Sequence, residues 1–89
     1  MIEKTFIIKN KLGLHARAAA LFVQTANKFL SEISVEKGED VVDGKSILGI
    51  MMLAAACGTH IKVKIKGSDA QEVLQAIEKI IENKFGEED

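Results

Sequence analysis

Apolar and polar positions alternate over residues 2–8, with Ile2, Lys4, Phe6 and Ile8 on one side and Glu3, Thr5 and Ile7 on the other. A period of two predicts a strand with one mostly apolar face. Asn10-Lys11-Leu12-Gly13 reads as a loop. From Ala16 to about Phe29 the apolar positions Ala19, Phe22, Val23, Ala26 and Phe29 or Leu30 recur at helical spacing and predict a core stripe. Alternation returns over 32–36, Lys37-Gly38-Glu39-Asp40 turns the chain into a short strand at Val41-Val42, and Asp43-Gly44 signals another turn.

Ser46 suits the N-cap of a short apolar helix running from Ile47 to Ala54, weakened by Gly49. Ile61, Val63 and Ile65 alternate with Lys62, Lys64 and Lys66, the clearest half-buried strand of the chain, and Gly67 closes it. Ser68 with Gln71 three residues on forms a capping-box pattern that opens a last helix with the stripe Val73, Leu74, Ile77, Ile80 and Ile81. The end, from Gly86 through its three acidic residues, is expected to fray.

The order is βαββαβα, an α+β pattern. Strands apolar on one side and lysine-rich on the other predict a sheet with helices on one face and water on the other. At 89 residues, with no linker or repeat, residues 1–89 read as one domain. An apolar share of 47% suffices for a core, built from aliphatic rather than aromatic residues. Cys57 is the only cysteine, which excludes a disulfide pair and a cysteine-based zinc site and points to a reducing compartment. Its place in an alanine-rich run predicts a buried thiol.

Net charge is −1 with acids and bases interspersed, against a broad nucleic-acid footprint. The lysine row lacks aromatic stacking partners and reads as a solvated sheet face, and His60 reads as a surface residue. The N-terminus lacks a signal-peptide apolar region and no stretch approaches membrane-spanning length, so the expected setting is the cytoplasm, without membrane insertion.

The candidate chemistry lies in Gly13-Leu14-His15-Ala16-Arg17-Ala18-Ala19, an imidazole and a guanidinium two positions apart where a turn gives way to a helix. The amides of Ala16 and Arg17 fall in the first helical turn, without partners inside the helix. The positive end of the helix dipole adds to the charge of Arg17. A lone histidine in such a turn is ordinarily just a polar residue. Gly13, which permits a close backbone approach, and the second phosphate-compatible helix start at Ser46 favour phosphate handling.

The first motif, taken with Gly44-Lys45-Ser46-Ile47-Leu48-Gly49-Ile50-Met51, resembles the two signatures of the HPr family, histidine phosphocarriers of the bacterial phosphoenolpyruvate-dependent sugar phosphotransferase system. The likeness covers the whole chain in length, element order and motif separation. It implies an open-faced β-sandwich, a four-stranded antiparallel sheet in the order 1-4-2-3 with three helices on one face. It further implies phosphorylation of His15 at Nδ1, enzyme I as donor, EIIA domains as acceptors, and Ser46 as a regulatory serine for a kinase/phosphorylase. The family motif usually carries proline where Ala18 stands. Alanine suits a first turn equally well and restores an amide donor.

In this reading Arg17 stabilises the phosphoryl charge through a bidentate fork, and no cofactor or metal is required beyond the covalent phosphohistidine. Docking is expected around His15, through Ala16 and Ala20 on the first helix and Ile47, Leu48 and Met51 on the short one. Gln24 and Lys45, with Arg17, would form a polar rim, while Ile50 and Leu53 are assigned to the core. A single domain of this kind is expected to be monomeric. The competing readings are a carrier in a nitrogen-related relay and a non-transferring regulatory module acting through Ser46.

Overall fold

The computed structural model describes residues 1–87. Four strands form one antiparallel sheet: β1 (Ile2–Ile7), β2 (Glu32–Lys37), β3 (Asp40–Asp43) and β4 (His60–Lys66). Their spatial order is β1-β4-β2-β3, the order the family resemblance implied. The register follows from the side-chain pattern. Phe6 faces Ile61, Ile33 faces Ile65 and Val35 faces Val63, which puts the apolar sets of β1, β2 and β4 on one side. A one-residue slip would turn that set to water.

The opposite face carries the lysine row, and its charges are matched across the strands. Lys64 Nζ lies 2.7 Å from Glu36 and 3.5 Å from Glu3. Glu32 pairs with Lys66, and Glu36 with Lys62, in the β2–β4 ladder. This is a solvated face laced by cross-strand ion pairs. His60 is exposed at its start.

The helices α1 (Ala16–Ala26), α2 (Ile47–Met52) and α3 (Ala70–Glu82) cover the apolar face. From α1 the core takes Ala18, Ala19, Phe22, Val23 and Ala26; from α3, Val73, Ile77 and Ile81; from α2, Ile50, followed by Leu53. Leu74, Ile80 and Phe29 pack at its margin. None of these helices is long and apolar enough to cross a membrane.

Four local expectations are corrected. First, α1 ends at Ala26, and the apolar spacing continues to Phe29 through tighter turns, with Lys28 N–H bonded to Thr25 O and Phe29 N–H to Ala26 O. Leu30 lies outside, 87% exposed. Second, α3 is capped at Asp69 rather than Ser68. The Asp69 carboxylate accepts from the Leu30 and Ser31 amides and the Ser31 hydroxyl, so it fastens the α1–β2 loop instead of closing a capping box.

Third, Cys57 is exposed. Helix α2 stops at Met52 and Ala54 takes a left-handed φ of 49°, which sends Leu53 and Ala55 inward and leaves the thiol on a surface turn. Fourth, the chain end does not fray at Gly86 and Glu87: it folds back across the start of α1. The remainder of the expected frayed end lies outside the described residues.

Candidate functional site

His15 is the N-cap of α1, with extended backbone (φ −74°, ψ −178°) and no capping bond from its ring. The first rung of the helix runs from Ala19 N–H to His15 O at 2.8 Å. The amides of Ala16, Arg17 and Ala18 therefore stand ahead of the ladder, at the helix start that His15 caps. The turn before it is set by Gly13, at φ 68°, where a Cβ would lie 2.5 Å from Ala55 O. That close approach lets Leu14 N–H bond the same carbonyl at 2.9 Å and seats Leu14 in the core.

The ring is held by the chain's other end. After α3, Lys84 and Phe85 both take left-handed φ values of 54° and Gly86 follows at 75°. Such a turn in two L-residues costs about 1–2 kcal/mol each. Burial of the Phe85 ring offsets that cost, and the Phe85 carbonyl accepts from Arg17 Nη2 at 2.9 Å. The turn delivers Glu87, whose Oε2 lies 2.5 Å from His15 Nε2 and 3.2 Å from Arg17 Nη2.

Asn10, fully buried, donates from Nδ2 to Gly13 O at 2.7 Å and to Glu87 Oε1 at 3.1 Å. Burial pushes the Glu87 carboxyl up, but the hydrogen bonds from His15 and Asn10, with the nearby charges, outweigh it and hold it below the ordinary glutamate range. His15 Nδ1 has no hydrogen-bond partner among the described residues.

Ser46 caps α2 as expected, its Oγ accepting from Gly49 N–H at 3.0 Å. Gly49, read from sequence as a weakness, sits where a Cβ would be 3.2 Å from both Ser46 Oγ and Val42 Cβ, so the glycine lets α2 lie close on β3. Ile47, Leu48 and Met51 are exposed, and Ile50 and Leu53 are buried, as the spacing indicated. Ala16 and Gln24 are exposed and Ala20 is half-buried. Lys45 differs from a free rim charge: its ammonium donates to Phe29 O at 2.8 Å, past the C-terminus of α1.

A family profile described as the PTS HPr component phosphorylation site matches residues 2–83. A phosphocarrier protein HPr of Neisseria meningitidis is 49% identical over 87 residues, covering 98% of both chains. The chain belongs to the HPr family. The fold agrees: a crystal structure of HPr from Thermoanaerobacter tengcongensis superposes with a TM-score of 0.95 at 55% identity, covering 99% of each chain. The HPr-like protein Crh of Halalkalibacterium halodurans is also similar, 49% identical over 82 residues that cover 92% of this chain and 98% of that one.

Ala18, the position at which the family resemblance led to the expectation of a proline, has its side chain fully buried on α1. Three residues at the site were not singled out from sequence. Met52, 72% exposed, extends the apolar patch and was signalled by its spacing of four from Leu48. Asn10 and Glu87 carried no local signal, because their partners lie far along the chain.

Proposed function

We propose that this chain accepts a phosphoryl group on His15 Nδ1 from enzyme I of the sugar phosphotransferase system and passes it to EIIA domains. The observation that carries the reading is His15 at the N-cap of α1 with Nε2 engaged and Nδ1 without a partner among the described residues. A nucleophile must offer a lone pair, and Nδ1 has one in the tautomer that donates from Nε2. The incoming group would meet the Ala16 and Arg17 amides and the guanidinium of Arg17, an arrangement suited to a loose transition state that needs positioning and charge stabilisation.

No cofactor enters this scheme, since the phosphohistidine is itself the intermediate. The exposed apolar patch of Ile47, Leu48 and Met51 supports transient docking by partners of different shape, methionine being the adaptable contact. Ser46 phosphorylation would add up to about two negative charges beside that patch, which makes it a regulatory position for a kinase/phosphorylase. The setting assigned is cytoplasmic and the working unit a single chain.

Incubation with phosphoenolpyruvate and enzyme I should produce acid-labile, base-stable phosphate on the chain, absent from His15→Ala. Label that survives in His15→Ala would overturn the reading. ATP-dependent, acid-stable label at Ser46, in place of the acid-labile one, would turn it toward a regulatory module.

A further inference from the structure

We propose that Glu87 is the positioning residue for His15, holding the proton on Nε2 so that Nδ1 is bare for attack. The inference rests on the phosphocarrier reading above and assigns a role to a residue that the sequence placed in a fraying tail.

The geometry fixes the tautomer. A carboxylate 2.5 Å from Nε2 accepts only if that nitrogen carries the proton. In a neutral imidazole the other nitrogen then holds a lone pair. The opposite tautomer would set a lone pair against a carboxylate, which is repulsive. The Glu87 side chain is 10% exposed and that of His15 30%, so the contact is partly shielded from water.

Each carboxylate oxygen is itself held, Oε1 by Asn10 Nδ2 and Oε2 by Arg17 Nη2 as well as by His15. Asn10 uses the same amide nitrogen to grip Gly13 O, so the turn before His15 and the tail after α3 share one buried clamp. The amide orientation of Asn10 is determined by this, since a flipped Oδ1 would face two acceptors. The strained turn over Lys84 and Phe85 is the means by which the tail reaches His15, and it persists because the surrounding contacts over-determine it.

The carboxylate does not obstruct the reaction. Nδ1 and Nε2 are on different edges of the ring, so a phosphoryl group arrives on the edge that Glu87 leaves open. The Nδ1 lone pair becomes the new N–P bond while the donor's bond to phosphorus breaks and its electron pair returns to the donor. No proton leaves Nε2, and the ring acquires positive charge next to the carboxylate. When the group moves on, the N–P electrons return to Nδ1 and the ring is neutral again. Glu87 thus orients the imidazole and stabilises its cationic form, as the buried aspartate does for the histidine of a serine protease. Arg17 keeps donors for phosphate oxygens, because its contacts here use only Nη2 of its five N–H groups' fork.

The test uses the full chain with Glu87→Ala and Glu87→Gln. The first readout is the 15N shifts of the His15 ring at a pH where it is neutral; the second is steady-state phosphoryl acceptance from phosphorylated enzyme I. The wild-type ring should carry its proton on Nε2, and Glu87→Ala should develop a measurable Nδ1–H fraction. Acceptance by Glu87→Ala should fall about 10-fold in kcat with KM unchanged, by analogy with the lower end of the loss when a carboxylate that orients a metal-bound histidine is removed. Glu87→Gln retains a carbonyl acceptor and should restore the tautomer and part of the rate.

Identical ring shifts in wild type and Glu87→Ala would overturn the proposal, and so would a rate loss that appears in KM alone. The shifts are read without any donor, so they decide the positioning role by themselves. Failure of the wild-type chain to accept phosphate would instead strike the phosphocarrier reading.

Discussion

Arg17 is tied at two points to the tail, to the Phe85 carbonyl and the Glu87 carboxylate, while its side chain remains 52% exposed. The planar fork makes that sharing possible, since one edge can hold the tail while the remaining donors face a phosphoryl group on His15. A lysine would supply one compact charge and lose the fork. Arg17→Lys should therefore slow phosphoryl acceptance by about 10-fold, the equivalent of one charge-assisted hydrogen bond of about 1.5 kcal/mol, with little loss of docking affinity. Single-turnover transfer and a binding titration with enzyme I measure the two separately, and equal transfer rates would remove Arg17 from charge stabilisation. The His15–Arg17 pair was legible in the sequence because its geometry is local, two positions apart at a helix start. Glu87 was not, because it meets His15 across 72 residues and reaches it only through left-handed backbone at Lys84 and Phe85, which neither residue type announces.

Among the elements, the strands were read with little error because a half-buried face imposes strict alternation, most plainly at Ile61, Val63 and Ile65. Helix ends were harder. The spacing of α1 runs on to Phe29 because the following turns still aim that ring at the core, and periodicity does not distinguish an α-turn from a tighter one. Ser68 and Gln71 satisfied a local rule that lost to the long-range bonds of Asp69 with Leu30 and Ser31. The cap of α2 was readable, since Ser46 bonds Gly49 N–H three residues on. Ser46→Ala should cost about 1 kcal/mol, visible as a melting temperature lower by about 4–8 °C for a domain of this size. Ser46→Asp keeps a cap acceptor and adds charge favourable to the helix start, so it should melt no lower than wild type. The same variant should take phosphate from enzyme I more slowly, as negative charge enters the docking patch. An unchanged acceptance rate in Ser46→Asp would count against regulation through this residue.

For the whole molecule, two carboxylates fasten segments that the sheet and helices alone leave loose. Glu87 binds the chain end to the start of α1, and Asp69 binds the α1–β2 loop to the start of α3. The hydrogen bond from Ser31, then that from the Leu30 amide, holds the Asp69 carboxyl below the usual aspartate range. Glu87 is lowered too, because its hydrogen bonds outweigh its burial. A carboxyl whose folded pKa is depressed contributes stability that is fully present above its unfolded pKa, about 3.9 for Asp and 4.3 for Glu, and that is lost as pH falls through the folded value. Melting temperature should accordingly drop as the pH falls below about 4. Asp69→Asn and Glu87→Gln isolate the two contributions. Each variant should melt below wild type at pH 7, and the gap should close as the pH is lowered, because protonated wild type loses what the variant already lacks. A gap that stayed constant down to pH 2.5 would mean that packing, rather than the charged form of the carboxylate, fastens that segment. The two variants should be additive, since one joins the loop to α3 and the other joins the tail to His15, with no partner shared between them.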